Sequence, residues 1–160
     1  IKNSGKNFII NLSLIVLIFL FDRISKIYVI YLDKKFLGSE IFSSEFLNLT
    51  LIWNEGIAFG LFSFDEKYLY NILTIFIIII ILIIFFVLSK SKGLKKYSLL
   101  MILGGALGNV FDRIFYKGVA DFIDFHIGDF HWFIFNIADV FITFGIISLL
   151  YYELFCNKKK

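Results

Sequence analysis

Proline is absent from this 160-residue chain, and cysteine and methionine each occur once. Without proline, no helix here can be kinked or stopped by its ring. The single thiol, Cys156, cannot close an internal disulfide and lies far in sequence from the polar clusters, so it reads as a bystander. Charge is also sparse, at 18 % of residues, and a net charge of +3 makes no case for a nucleic-acid partner. No zinc-binding helix motif such as H-E-x-x-H is present, and there is no internal repeat. What the chain has is apolar mass: 59 % hydrophobic residues, 22 of them Phe, and a mean hydropathy of +0.86. Soluble domains hold about 45–50 % apolar residues, so a membrane protein is expected.

A helix needs about 20 apolar residues to cross the hydrocarbon core. Four segments qualify, at about 8–30, 68–88, 97–116 and 132–155. No small-residue cleavage site follows the first, so it is read as an anchor rather than a signal peptide. The expected fold is an α-helical integral membrane protein of four transmembrane helices, a single membrane domain over 1–160. Two loops, 31–67 and 117–131, lie on one face. Lys2, Lys6, Lys90, Lys92, Lys95, Lys96, Lys158, Lys159 and Lys160 all fall on the other face, which is therefore assigned to the cytoplasm with both termini. Of the 13 acids only Glu153 belongs near that side.

The segment 46–53, FLNLTLIW, alternates and is rich in β-branched and large residues, so a strand is predicted, pairing with 36–42 in a small β-rich subdomain outside the membrane. The following NEGIAFGLF carries Gly56 and Gly60 at expected turns or close approaches, and its apolar content predicts a dip into the interface. The second span is nearly pure Ile, Leu and Phe and is expected to face lipid. The third contains GGALGN at 104–109, small residues that let helices approach closely.

Polar groups at membrane depth are costly and point to function. Asp22, Asn109, Asp112, Asn136 and Asp139 all sit in or at the ends of spans, at one face. Asp22 and Lys26 share a helix face at i, i+4, either as a helix-end ion pair with Lys26 reaching the headgroups or as part of a site. Arg113 is expected to pair with Asp112, an architectural or substrate-positioning role. Asp121 lies between Val119–Ala120 and Phe122–Ile123, an apolar setting that raises a carboxyl pKa. Asp124 and Asp129 look more solvated. Asp139 has no basic neighbour in sequence, so it needs a partner from elsewhere, and Asp121 is the best candidate. Two carboxylates sharing a site retain a proton between them, so one can activate water while the other acts as an acid.

With these blocks in view, the chain resembles lipoprotein signal peptidase, or signal peptidase II. DRISK at 22–26, NEGIAFG at 54–60, GGALGNVFDR at 104–113, GVADF at 118–122 and FNIAD at 135–139 resemble that family's motifs, in order, over nearly the whole chain. Ala120 stands where a second Val is common, and Ser25 where Thr is common; neither touches a carboxylate. The resemblance implies a catalytic pair at Asp121 and Asp139. It implies a supporting and substrate-binding shell of Asp22, Lys26, Asn54, Gly56, Gly105, Asn109, Asp112, Arg113, Asn136 and Ala138. It also implies a prolipoprotein substrate cut before its diacylglyceryl-bearing Cys at the outer leaflet of the bacterial inner membrane, by a monomer among phospholipids, without metal or other cofactor.

Two other readings compete. A metalloenzyme built on Asp121, Asp124, His126, Asp129 and His131 lacks a recognisable ligand spacing, and the two His are expected to contact headgroups or loop backbone. An ion or proton channel, or a transporter subunit, would need polar residues at several depths, whereas the other halves of the spans are almost purely apolar.

Overall fold

The computed structural model describes residues 2–56 and 66–157. Four helices dominate it: α1 (Lys2–Lys35), α2 (Glu66–Lys90), α3 (Gly93–Phe115) and α4 (Ile137–Tyr151), the last continuing as a π-helical turn over Tyr152–Cys156. Each is long and apolar enough to cross a membrane once the π-turn is counted with α4. Between them runs an antiparallel sheet of β1 (Phe42–Ser43), β2 (Leu47–Asn54), β3 (Val119–Ile127) and β4 (Phe130–His131), in that spatial order.

The sequence explains the helix ends. α1 has 34 residues, and at about 1.5 Å per residue it is longer than the ~30 Å hydrocarbon core. Its end is set by Leu37 and Gly38, both at positive φ, where the Gly38 N–H turns back onto the Asp33 carbonyl at 2.9 Å. α4 starts later than expected. Residues 132–136 are not its first turn: Phe135 bridges to Ile123 of β3, and Asn136 caps the helix.

The 117–131 segment is a second correction. Rather than a loop, it is mostly β3, which pairs along the length of β2 from Leu47↔Phe125 to Asn54↔Val119 with an irregularity between Leu49 and Ile52. The strand expected at 46–53 is present as β2, but 36–42 is not its partner strand. Residues 36–39 form the turn that follows α1, and only Phe42–Ser43 pair with Leu49 and Asn48. The interfacial dip expected beyond Gly56 lies outside the described residues.

α3 is the central helix, packed against α1, α2 and α4. Its glycines make this possible. A Cβ on Gly104 would stand 2.9 Å from Ile18, and one on Gly105 would stand 2.5 Å from the Ala138 carbonyl oxygen. On α4, a Cβ on Gly145 would meet the Ser98 carbonyl at 2.8 Å. α2 leaves most of its Ile and Phe side chains outward, in keeping with a lipid-facing helix.

Candidate active site

At the sheet end of the bundle, two acids from different elements come under one residue. Asn136 is the N-cap of α4 and Asp139 its third residue, and they form a capping box: the Asn136 side-chain oxygen accepts from the Asp139 N–H at 3.1 Å, and Asp139 Oδ2 accepts from the Asn136 N–H at 3.1 Å. Asp139 thus sits in the first turn of a helix, where the orphan N–H groups and the macrodipole favour negative charge. The amide group of Asn136 remains free to point elsewhere, and its Nδ2 donates to Asp121 Oδ1 at 2.6 Å.

Asp121 is brought there by β3. Asn54 pairs with Val119 across the β2–β3 ladder, so it and Asp121, two residues on, lie on one face of the sheet. Asn54 Nδ2 donates to Asp121 Oδ2 at 2.8 Å, and its own oxygen accepts from the Gly56 N–H at 2.7 Å. Asp121 is 3 % exposed. Burial pushes its carboxyl up from an ordinary 3.8 to about 6; Asn54 and Asn136 pull it down, Asp139 pushes it up, and Lys26 pulls it down.

Asp139 Oδ1 accepts from a third amide, Asn109 Nδ2 on α3, at 2.8 Å. The Asn109 oxygen accepts from Lys26 Nζ at 2.8 Å, which fixes which way that amide faces. All four carboxylate oxygens of the two acids therefore accept from amide N–H groups of three asparagines.

Behind them lies a charge cluster with almost no contact with solvent. Lys26 is fully buried and bonds Asp22 at 3.1 Å and Asp112 at 2.8 Å. Arg23 bonds the same two carboxylates, Asp22 at 2.9 Å, and its guanidinium lies over the Phe111 ring at 4.9 Å. Two cations thus offset two anions, as burial of charge requires. Backbone groups bond the same carboxylates: Asp22 Oδ1 accepts from the Ala138 N–H at 3.0 Å, and Asp112 Oδ2, already bonded to Lys26, from the Ala120 N–H at 3.3 Å. A Cβ on Gly108 would come within 2.5 Å of Asp22 Oδ2.

Three sequence expectations change here. Lys26 does not reach headgroups; it is turned inward between two carboxylates. Asp112 pairs with Arg23 and Lys26, and among the described residues Arg113 makes no ion pair with it. Asp124 is not solvated: it is 6 % exposed and bonded to His131 Nδ1 at 2.8 Å. The two histidines stack on each other across β3 and β4, with centroids 4.9 Å apart. Arg23 is the site member that sequence reading passed over, although it directly follows Asp22.

Asp139 also lines a groove of about 570 Å³ walled by Phe46, Phe125, Phe130, Trp132, Phe133 and Phe135 from the sheet side and by Val140, Thr143 and Phe144 from α4. It is an apolar trough with an acid at one wall.

Comparison with known proteins gives this arrangement a context. Residues 14–155 match the family described as signal peptidase (SPase) II. The chain belongs to the signal peptidase II family. A lipoprotein signal peptidase of Pelagibacter ubique (strain HTCC1062) is 50 % identical, with 99 % of this chain and 96 % of that protein covered. That of Anaplasma marginale (strain Florida) is 37 % identical over 96 % of this chain and 89 % of its own length. A solved bacterial membrane enzyme superposes with a TM-score of 0.74 at 31 % identity, covering 91 % of this chain and 92 % of its own. As a signal peptidase II the protein is a multi-pass membrane protease.

Proposed function

We propose that this signal peptidase II is an aspartic endopeptidase. It removes the signal peptide from diacylglyceryl-modified prolipoproteins, cutting just before the lipidated Cys, with Asp121 and Asp139 as the reacting pair. The observation that carries the reading is Asn136, which bonds both carboxylates, one of which, Asp139, stands at the wall of an apolar groove.

In this mechanism the pair holds one proton. The ionised member takes a proton from water, and the resulting hydroxide forms a bond to the scissile carbonyl carbon. The protonated member donates to the carbonyl oxygen as charge develops there. Collapse of the tetrahedral centre re-forms the carbonyl, returns the oxygen's proton to the carboxylate that gave it and breaks the C–N bond, while the proton taken from water passes to the departing amine of the Cys. The carboxylates return to their shared-proton state. Asn54, Asn109 and Asn136 hold the acids by donating to them, so neither carboxylate needs to move between steps. The neutral Asp22–Arg23–Lys26–Asp112 cluster anchors α1 to α3 and, through Ala138 and Ala120, positions the elements carrying Asp139 and Asp121. The apolar groove suits a signal helix or acyl chains, whose transfer from lipid needs no dehydration. The lysine distribution supports an orientation with both termini in the cytoplasm and the site at the outer leaflet of the inner membrane, where a lipid-anchored Cys would present its bond. The enzyme acts as a monomer.

The test is cleavage of a lipid-modified prolipoprotein by purified protein with a chelator present. Wild type and the exposed-site variant Asp129→Asn are expected to cleave, and Asp121→Asn and Asp139→Asn to be inactive while folded. Activity surviving the loss of Asp121 would assign its role to another acid. A folded wild type without cleavage would leave ion conduction as the reading to measure, by flux into vesicles.

A further inference from the structure

A second cavity, of about 430 Å³, opens between the sheet-side ends of α2 and α3, and neither acid of the pair lines it. Arg113 lines it, together with Lys117, Glu55, Tyr70, Asn71 and Thr74. The Arg113 side chain is built into place rather than loose. Its guanidinium lies 5.5 Å over the Tyr70 ring, the Tyr70 hydroxyl donates to the Arg113 carbonyl at 2.8 Å, and Thr74 donates to the Tyr70 carbonyl at 2.9 Å. Gly56 closes on it so tightly that a Cβ there would stand 2.9 Å from Nη2. Arg113 is 9 % exposed, and its Nη1 is buried with no hydrogen-bond partner among the described residues. A buried guanidinium N–H without an acceptor is costly, and this one borders a cavity large enough for a ligand.

We propose that this cavity binds the phosphodiester of an anionic membrane phospholipid, held by Arg113 and Lys117. Charge fits: the two cations against Glu55 leave one net positive charge, matched to one phosphodiester. Geometry fits: the guanidinium fork pairs with phosphate oxygens through two parallel N–H bonds. Position fits too. Both helices are membrane spans and the cavity lies at their ends, the level of headgroups. A cavity at the ends of two spans meets lipid headgroups directly, which favours a lipid over a soluble anion. Lys117 is held at φ 60, an uncommon backbone state for a residue with a side chain.

The experiment is native mass spectrometry of the purified full chain in neutral detergent, titrated with phosphatidylglycerol, with diacylglycerol of the same acyl chains, and with inorganic phosphate. Phosphatidylglycerol is expected to bind wild type, and at least about tenfold more weakly to Lys117→Glu and Arg113→Gln, the loss of a charge-assisted pair. Arg113→Lys keeps the charge but not the fork and is expected to fall between. Diacylglycerol binding as tightly, inorganic phosphate displacing the lipid, or Lys117→Glu binding like wild type would each overturn the proposal. Lys117 is exposed, so Lys117→Glu decides the matter even where Arg113→Gln does not fold.

Discussion

Asn136 and Asp139 cap each other: each backbone N–H of the pair donates to the other's side chain, both at 3.1 Å. The same asparagine then spends its amide hydrogens on Asp121. One residue therefore starts α4, orients one acid and fixes the other, and these roles can be separated by substitution. Asn136→Ser keeps a capping oxygen and loses the amide donor. Its thermal stability in detergent is expected to stay near wild type, with cleavage reduced at least about a hundredfold, the scale of one positioned donor. Asn136→Ala is expected to lose activity similarly and to lose about 1 kcal/mol of stability as well.

Asp121 makes a prediction in pH. Its folded value of about 6 lies above its ordinary 3.8, so the folded state binds the proton more tightly than the unfolded one. The sign follows: the ionised group opposes folding above pH 6, and that opposition disappears as pH falls through 6 toward 4. Two units correspond to roughly 3 kcal/mol. Asp121→Asn cannot ionise, so the stability of the variant relative to wild type is expected to be greater at pH 7.5 than at pH 4.5. Unfolding measured at both pH values checks this without any substrate, and an equal difference at the two would contradict it.

Lys26 is the cation whose loss should matter most to folding. Lys26→Met leaves Asp22 and Asp112 buried with Arg23 alone, at an expected cost of about 3–5 kcal/mol. The double variant Lys26→Met, Asp112→Asn restores neutrality and is expected to regain a large part of that stability. Thermal unfolding of the single and double variants decides it.

Gly105 and Gly38 carry opposite expectations. A methyl group on Gly105 meets a backbone carbonyl of α4 at 2.5 Å, which cannot swing aside, so Gly105→Ala is expected to force α3 and α4 apart and abolish cleavage. Gly38 has nothing within 4 Å, though its φ is +77. Gly38→Ala is expected to cost about 1 kcal/mol of local strain and leave cleavage intact.

The helical part of the fold was legible because bilayer thickness and apolar run length are tied together: Ile75–Leu88 has no other use. The sheet was half legible. Alternation marked β2, but in β3 the residues Val119–Phe122 are buried on both faces, and without alternation the strand reads as a loop. The start of α4 was misread because Trp132–Phe135 is as apolar as the helix it precedes; only the capping pair Asn136 and Asp139 marks the boundary. Among site residues, the acids stood out as charges in apolar runs. Partner choice did not. Asp112 pairs across 89 positions with Arg23 rather than with its chain neighbour Arg113, because consecutive residues on a helix point about 100° apart. Asp124, flanked by Ile123 and Phe125, gave no sign that β4 would fold over it.

The pairing between α1 and α3 also bears on how the chain is made. α1 leaves the ribosome carrying Asp22, Arg23 and Lys26, one net positive charge, while the carboxylate that balances it is still 89 residues away from Arg23. α1 therefore enters the bilayer with an unmatched cation, and the debt is settled only when α3 is synthesised and inserted beside it. For this enzyme the third helix completes the first.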